Sequence, residues 1–185
     1  MNLHIKELLK HLAYYLVFLL VTSLVVIEYQ NYSVNKQAEI AEKIRIEKIK
    51  QKDKECIKAA LWHEARGEGH HGILAVASVI ENRINHPAYP STYCGVINQH
   101  KQFSYTLEGK PTGMRLEASI KDSERPMYTK VALTAESMVE GQFEPVLPKS
   151  VIWYTTKKIS NYWTKTKKVY ATIGNHRFYK EKEPK

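Results

Sequence analysis

Between Leu12 and Ile27 the chain reads LAYYLVFLLVTSLVVI, a run without a single charge, and such a run asks for an apolar environment. As a helix rising ~1.5 Å per residue it is about 24 Å long, slightly short of a bilayer's hydrocarbon core. Tyr14 and Tyr15 at one end and Tyr29 and Tyr32 at the other suit the two interfaces and extend the usable span to residues 12–29. A cleaved signal peptide is the competing reading, since Lys6 and Lys10 supply a charged start. The exit LVVIEYQNY lacks the small-x-small site of signal peptidase, so 12–29 is read as an uncleaved single-pass signal anchor behind an N-terminal tail, 1–11, on the cytoplasmic side. Lys36 and Lys43 follow the run much as Lys6 and Lys10 precede it, and flanking charge therefore leaves the orientation open.

Residues 30–54 are rich in Lys, Glu and Ile and hold no Gly or Pro, which predicts a charged, solvated helical stalk. Self-association through Ile40 and Ile44 would need several clean heptads, and these are missing. The globular part begins near Cys56. CIKAALWHEAR predicts a helix that Gly67 and Gly69 end, with Glu64 in its last full turn, and GILAVASVIENRI predicts a buried helix with Ile73, Val76, Ile80 and Ile84 on one side. A long stretch rich in turn residues, 85–113, reads as a loop whose aromatics Tyr89, Tyr93, Phe103 and Tyr105 argue against disorder. A third helix is expected from Asp122 or Ser123 to Gly141, followed by two β-type runs, SVIWYTT and KKVYATIGNHRFYK. Helices first and strands last predict an α+β fold rather than alternating βαβ units. The expected globular domain covers 55–180, and 181–185 read as a charged tail.

The stretch WHEARGEG, 62–69, concentrates the chemistry. A zinc protease helix needs a second histidine four residues after His63, and position 67 is Gly; His70 and His71, being consecutive, would point apart. No metal and no cofactor are expected. A Cys/His nucleophile pair is weak because Cys94 sits in a loop with no base marked out for it and Cys56 lies in a helix. A carboxylic acid working as a proton donor fits better. Partial burial of Glu64 would raise its pKa and keep it protonated near neutrality, as general acid catalysis at a glycosidic bond requires. The competing reading gives Glu64 and Arg66 helix-end hydrogen bonds only.

Four separated blocks carry a resemblance: EARGE at 64–68, AVASVIENR at 75–83, PSTYCGVI at 90–97 and QFS at 102–104, followed by a closing segment, 151–180, that contains IGNHRFYK. In this order they resemble the SleB-type cell wall hydrolases, the family of the spore cortex-lytic enzymes, over roughly residues 55–180. The resemblance implies a compact α+β catalytic domain distantly like lysozymes and lytic transglycosylases. It also implies cleavage of peptidoglycan glycan strands with Glu64 as the catalytic acid. Substrate-contacting roles carry over to Arg66, Glu68, Asn82, Gln102, Phe103, Ser104, Tyr154 and His176. For each of these a buried polar or aromatic group satisfied by its neighbours is the plain alternative.

The chain departs from the family pattern around QFS. Lys101 and Leu107 stand where many members carry a second cysteine pair, and Glu108 precedes Gly109 where an aspartate is usual. The resemblance implies that Cys56 and Cys94 match positions that can be bridged in the family. A bridge would imply an oxidising compartment, hence an extracytoplasmic, periplasmic domain with the N-terminus inside and the protein in the inner (cytoplasmic) membrane; two unrelated thiols are the alternative.

Two mechanisms fit the resemblance. A hydrolase of the muramidase type needs a second carboxylate, for which Glu68, Glu81, Glu108 and Asp122 are candidates. A lytic transglycosylase needs one glutamate as acid and then base at the bond between N-acetylmuramic acid and N-acetylglucosamine. With one convincing carboxylate, transglycosylation is favoured. The expected partners are glycan strands and, through 12–29, the membrane, for a monomer acting in cell wall lysis or remodelling, phage lysis included. The net charge of +9, with Lys157, Lys158, Lys165, Lys167 and Lys168 interleaved with Tyr162 and Trp163, also describes a nucleic-acid surface or a non-catalytic glycan-binding module. A basic face suits the anionic cell envelope equally well, so no nucleic acid is expected.

Overall fold

The computed structural model describes residues 3–160 and 162–181. The chain divides into two compact units, Met1–Lys48 and Ile49–Lys185. One helix, α1 (Leu3–Ala65), takes up both the stretch read as an anchor and the stretch read as a stalk, and it ends in the globular unit. Its continuity has a simple cause: from Leu3 to Ala65 the sequence offers neither Gly nor Pro to interrupt it. Within the first unit the large apolar side chains from Leu12 to Ile27 are all exposed, and Ile40 and Ile44 are exposed as well.

In the second unit a 3-10 turn at Arg66–Glu68 joins α1 to α2 (Gly69–Ile84). Gly69 makes the junction possible, since its φ of 71° and ψ of −174° lie in a region that only glycine enters readily. Helix α2 is the centre of the core. Ile73, Ala75, Val76, Ala77, Val79 and Ile80 are fully buried, so the helix is apolar nearly all round rather than along one stripe. Each of its larger side chains contributes about 1.5–3 kcal/mol by leaving water.

The expected long loop contains two short helices, α3 (Tyr93–Ile97) and α4 (Ser104–Leu107), and a third, α5 (Gly113–Ser119), begins at its last residue. Two of them are only four or five residues long, too short to show a helical period. Thr92 caps α3 by accepting from the Gly95 main-chain N–H. The Cys56–Cys94 disulfide ties α3 to α1, with Cα atoms 5.4 Å apart. Helix α6 (Arg125–Val139) follows a 3-10 turn at Asp122–Glu124, carries Pro126 in its first turn, and is closed by Gly141 at φ 68°.

Three strands close the domain: β1 (Val151–Thr156), β2 (Lys168–Ile173) and β3 (His176–Lys180), with a short helix α7 (Tyr162–Thr166) between the first two. The sheet is antiparallel in the order β1-β3-β2. The second β-type run forms a hairpin of two strands that turns at Gly174, φ 57°, and Asn175. The uninterrupted β-branched and aromatic residues on both sides conceal that turn. Glu181, assigned to a tail, is tied down: its N–H donates to Ser150 O at 2.7 Å and its carboxylate pairs with His86 at 3.0 Å. The rest of the tail, 182–185, lies outside the described residues, as do the first two residues of the chain and Asn161. Overall the second unit is helix-dominated with one small sheet, in keeping with the α+β expectation.

Candidate active site

Glu64 sits in the last turn of α1, half-buried, at the point where α4 and β1 converge. Ser104 Oγ, at the start of α4, donates to Glu64 Oε1 at 3.5 Å, and Tyr154 Oη, on β1, donates to Oε2 at 3.4 Å. Burial raises the Glu64 carboxyl above its ordinary value, while the Tyr154 and Ser104 hydroxyls, the Ser104 main-chain N–H and the charge of Lys110 act the other way. Tyr154 is itself held far above the usual phenol range, first by burial and then by the Glu64 charge beside it. It therefore remains a donor at any working pH, and Glu64 meets two O–H donors and no hydrogen-bonded carboxylate.

The flanking residues are fastened to the fold. His63 Nε2 faces Pro111 O at 2.8 Å, and its ring stacks on Tyr105 at 4.9 Å between centroids. Burial lowers its pKa, so the imidazole is neutral and its N–H donates to the carbonyl. Arg66 turns back along its own helix, donating to Trp62 O at 3.3 Å with its guanidinium 5.3 Å from the Trp62 ring centre. Among the described residues no group of three or more His, Cys, Asp or Glu is placed to hold a metal ion.

Glu68, four residues after Glu64, points elsewhere. Its carboxylate accepts from the Asn175 N–H at 2.5 Å and from Asn175 Nδ2 at 3.2 Å, so it clasps the β2–β3 turn. Space there is tight: a Cβ on Gly174 would lie 1.8 Å from Glu68 Oε2, and one on Gly72 would lie 2.2 Å from Glu68 Cβ. Gly72 is thus required by the close approach of Glu68 Cβ, while Gly174 is required by its left-handed φ of 57°, the Glu68 carboxylate beside it being able to move aside. His176, 4% exposed, has Nδ1 3.9 Å from Glu68 and presents its ring edge-on to Tyr154 at 5.3 Å. The two glutamates of EARGE thereby act on one assembly from two sides. Glu68 holds the turn that carries His176, His176 braces Tyr154, and Tyr154 donates to Glu64.

The remaining expected contact residues separate. Ser104 and Tyr154 reach the acid, and Gln102 lines a cavity that Tyr154 also lines. Phe103 is fully buried, packed against Tyr105 and Tyr154. Asn82, 4% exposed, commits both amide hydrogens to Pro148 O and Val151 O at 2.8 and 3.0 Å. Phe103 and Asn82 thus lie buried beneath the site, with their contacts made to the fold. Glu68 is engaged with the β2–β3 turn, and His176, whose Nδ1 is buried without a hydrogen-bond partner, is held by ring packing against Tyr154 and Phe178. Of the candidate second carboxylates, Glu81 accepts from Tyr93 and Asn85, Glu108 pairs with Lys110, and Asp122 pairs with Arg125. Asn175 was overlooked as a contributor, although it stands inside the quoted IGNH block; its part depends on a partner 107 residues away.

The family described as Cell Wall Hydrolase matches residues 67–179, a span that opens three residues after Glu64. The spore cortex-lytic enzyme of Oceanobacillus iheyensis is 40% identical over 60 residues, 32% of this chain and 22% of that protein. The one from Bacillus subtilis is 41% identical over 51 residues, 28% and 17% respectively. The chain thus spans about a fifth of the length of these relatives. Among solved structures, the catalytic domain of the germination-specific lytic transglycosylase SleB from Bacillus anthracis matches with a TM-score of 0.54 at 26% identity, over 70% of this chain and 95% of that one. The catalytic domain of the Bacillus cereus SleB protein matches with the same score and identity, over 70% and 91%. The matched span takes in more than half of the chain, including Ser104 and Tyr154, the two donors to Glu64, and the chain belongs to the Cell Wall Hydrolase family.

Proposed function

We propose that this protein cleaves the glycan strands of peptidoglycan as a lytic transglycosylase, with Glu64 as the acid and then the base. One observation carries the reading: Glu64 is a half-buried carboxyl with a raised pKa, faced by the hydroxyls of Tyr154 and Ser104 and by no second carboxylate at hydrogen-bond distance. In the first step Glu64 gives its proton to the glycosidic oxygen, and the bond from C1 of N-acetylmuramic acid to that oxygen breaks, releasing the N-acetylglucosamine hydroxyl. In the second step the C6 hydroxyl of the same muramic residue attacks C1. Its proton passes to the Glu64 carboxylate, a 1,6-anhydro ring closes, and the acid is restored. Tyr154 and Ser104 donate to the carboxylate between the two steps, when its charge is exposed to a partly desolvated site. Hydrolysis would need an additional base to activate water. The four carboxylates considered for that part are engaged with Asn175, Tyr93, Lys110 and Arg125.

The apolar stretch of α1 is long enough by length and composition to cross a bilayer. We assign residues 12–29 to a single-pass anchor in the cytoplasmic membrane, with the catalytic domain outside, where the Cys56–Cys94 disulfide is stable. Full-length protein in the membrane fraction is the expected result; a shortened soluble form would identify a cleaved leader instead. The test of the chemistry is mass spectrometry of sacculi digested by the wild-type protein. Muropeptides ending in 1,6-anhydro-N-acetylmuramic acid, lighter by one water than reducing ends, are expected. Reducing ends alone would refute transglycosylation, and full activity in Glu64→Gln would refute the assignment of the acid, whose loss should cost ~10²–10⁴-fold.

A further inference from the structure

Residues 151–180, which form β1, α7, β2 and β3, hold seven lysines and arginines and not one aspartate or glutamate. Five of these cations, Lys157, Lys158, Lys165, Lys168 and Arg177, are exposed, and none of the five takes part in an ion pair among the described residues. The carboxylates that border the sheet at its two ends are engaged elsewhere, Glu181 with His86 and Glu68 with Asn175. We propose that this outer side of the sheet is an exosite for a linear, phosphate-bearing polyanion of the cell envelope, separate from the site that holds Glu64. The proposal rests on the peptidoglycan-cleaving reading, which sets the domain against the wall, and adds a second partner to it.

The placement follows from strand alternation. Tyr154 on β1 donates to Glu64, and Phe178, its register partner on β3, is fully buried, so these side chains take the face turned to the helices. Arg177 is the adjacent residue of β3, and with its register partner Thr172 on β2 it is exposed on the opposite face. Helix α7 packs on that opposite face: Trp163 meets Tyr179 at 5.3 Å and Lys167 lies over the Trp153 ring, while Lys165 and Tyr162 remain exposed. Lys157 stands at one end of the sheet, its N–H donating to Asn175 O at 2.8 Å, and Lys168 stands at the other, in register with Lys180. From Asn175 to Lys180 an extended strand covers about 17 Å.

That spacing selects the ligand. Charges about 17 Å apart lie beyond the Debye length of roughly 8 Å at physiological salt, so one small anion does not engage both ends, whereas a chain of regularly spaced phosphates neutralises them together. The edge of the sheet is unsuited to a protein strand. Strand β2 shifts register between Val169 and Ala171, with Tyr170 as the extra residue, and it begins on a lysine, both features by which an edge resists pairing. A second copy of the chain would bring like charges together. A bilayer is flat and a sheet of three strands twists, so a flexible chain follows the row of cations where a lipid surface meets only part of it.

The test measures binding of poly(glycerol phosphate) to full-length protein held in discs of zwitterionic lipid, across a salt series. Wild-type protein should bind the polymer, more weakly as salt rises. Lys157→Gln, Lys158→Gln, Lys165→Gln and Lys168→Gln combined should weaken binding roughly tenfold or more, the sum of four exposed ion pairs, and the same four changed to Arg should retain it. A control of equal net charge, Arg115→Gln, Lys121→Gln, Lys130→Gln and Lys149→Gln combined, should bind like the wild type. All forms should cleave sacculi stripped of anionic polymer at the same rate. No binding by the wild type, or an equal loss in the control, overturns the exosite. Displacement of the polymer by duplex DNA or anionic vesicles at lower charge concentration also overturns it, by naming a different partner. Slower cleavage of stripped sacculi by the Gln variant overturns it as well, because the lysines would then belong to the cleft. Failure of the wild type to cleave any sacculi is the separate result that removes the peptidoglycan reading, and with it the envelope polymer, even where polyanion binding persists.

Discussion

Tyr154→Phe isolates the hydrogen bond on which the acid depends. The substitution removes one oxygen and leaves the ring, which stacks on Phe178 at 5.8 Å and receives the edge of His176 at 5.3 Å. Packing is therefore retained, and the melting temperature should stay near that of the wild type. What is lost is an O–H donated to a carboxylate. Such bonds contribute about 1.5–3 kcal/mol, and at 3.4 Å this one belongs at the weak end, which predicts a fall in kcat of about tenfold. The pH profile gives the sharper reading. Tyr154 stabilises the charged form of Glu64 and so opposes the upward push of burial. Without it the carboxyl holds its proton to higher pH, and the alkaline limb of the profile, where the general acid is lost, should move upward. The assay is release of muropeptides from purified sacculi across a pH series, with chromatography and mass spectrometry as readout. An alkaline limb that stays in place or moves downward, or an undiminished kcat, would refute the coupling of Tyr154 to the acid.

Other consequences are equally specific. The folded-state pKa of Glu64 lies above its ordinary value of 4.5, so folding favours the protonated form. The stabilising contribution is present below that value and is lost as pH rises through the folded pKa. Glu64→Gln should therefore melt higher than the wild type at neutral pH, with the gap closing below about pH 4.5; a lower melting temperature at neutral pH would contradict the burial argument. Gly174→Ala would place a methyl on Glu68 Oε2 in a left-handed turn, and chemical denaturation should register about 2–3 kcal/mol, from the conformational cost plus the displaced Asn175 bonds. Glu68→Gln keeps one acceptor and should cost less, with a smaller loss of activity than Glu64→Gln. Reduction of Cys56–Cys94, which are separated by 38 positions, should remove about 2–4 kcal/mol of stability by the loop-entropy estimate, read as a drop in melting temperature.

Much of the architecture was legible from local pattern. The buried helix α2, the helix that ends just after Glu64 and the late strands are all set by apolar spacing, by glycines at the ends and by β-branched runs, signals contained within a few neighbouring residues. The short helices α3, α4 and α5 were not legible as helices, because segments of four to seven residues carry little periodicity and are held by the disulfide, the Thr92 cap and core contacts from Tyr105 and Leu116. The turn at Gly174 was hidden for a different reason: its glycine answers to Glu68, far away in the chain, as well as to the hairpin.

The same division applies to the site. From sequence alone, WHEARGEG places a carboxylic acid at a helix end, and its separated companion blocks identify the family; both depend on residue order, which the chain carries without folding. Which glutamate is the acid and which is the clasp is a tertiary matter. Glu64 and Glu68 have nearly the same local surroundings, and they part because α4 and β1 bring hydroxyls to one while the β2–β3 turn brings main-chain and side-chain amides to the other. Burial, which raises the pKa of Glu64, likewise exists only once distant segments exclude water together. Residue order sets which groups are available, and packing sets which of them remain free to act, because exclusion of water needs segments far apart in the chain.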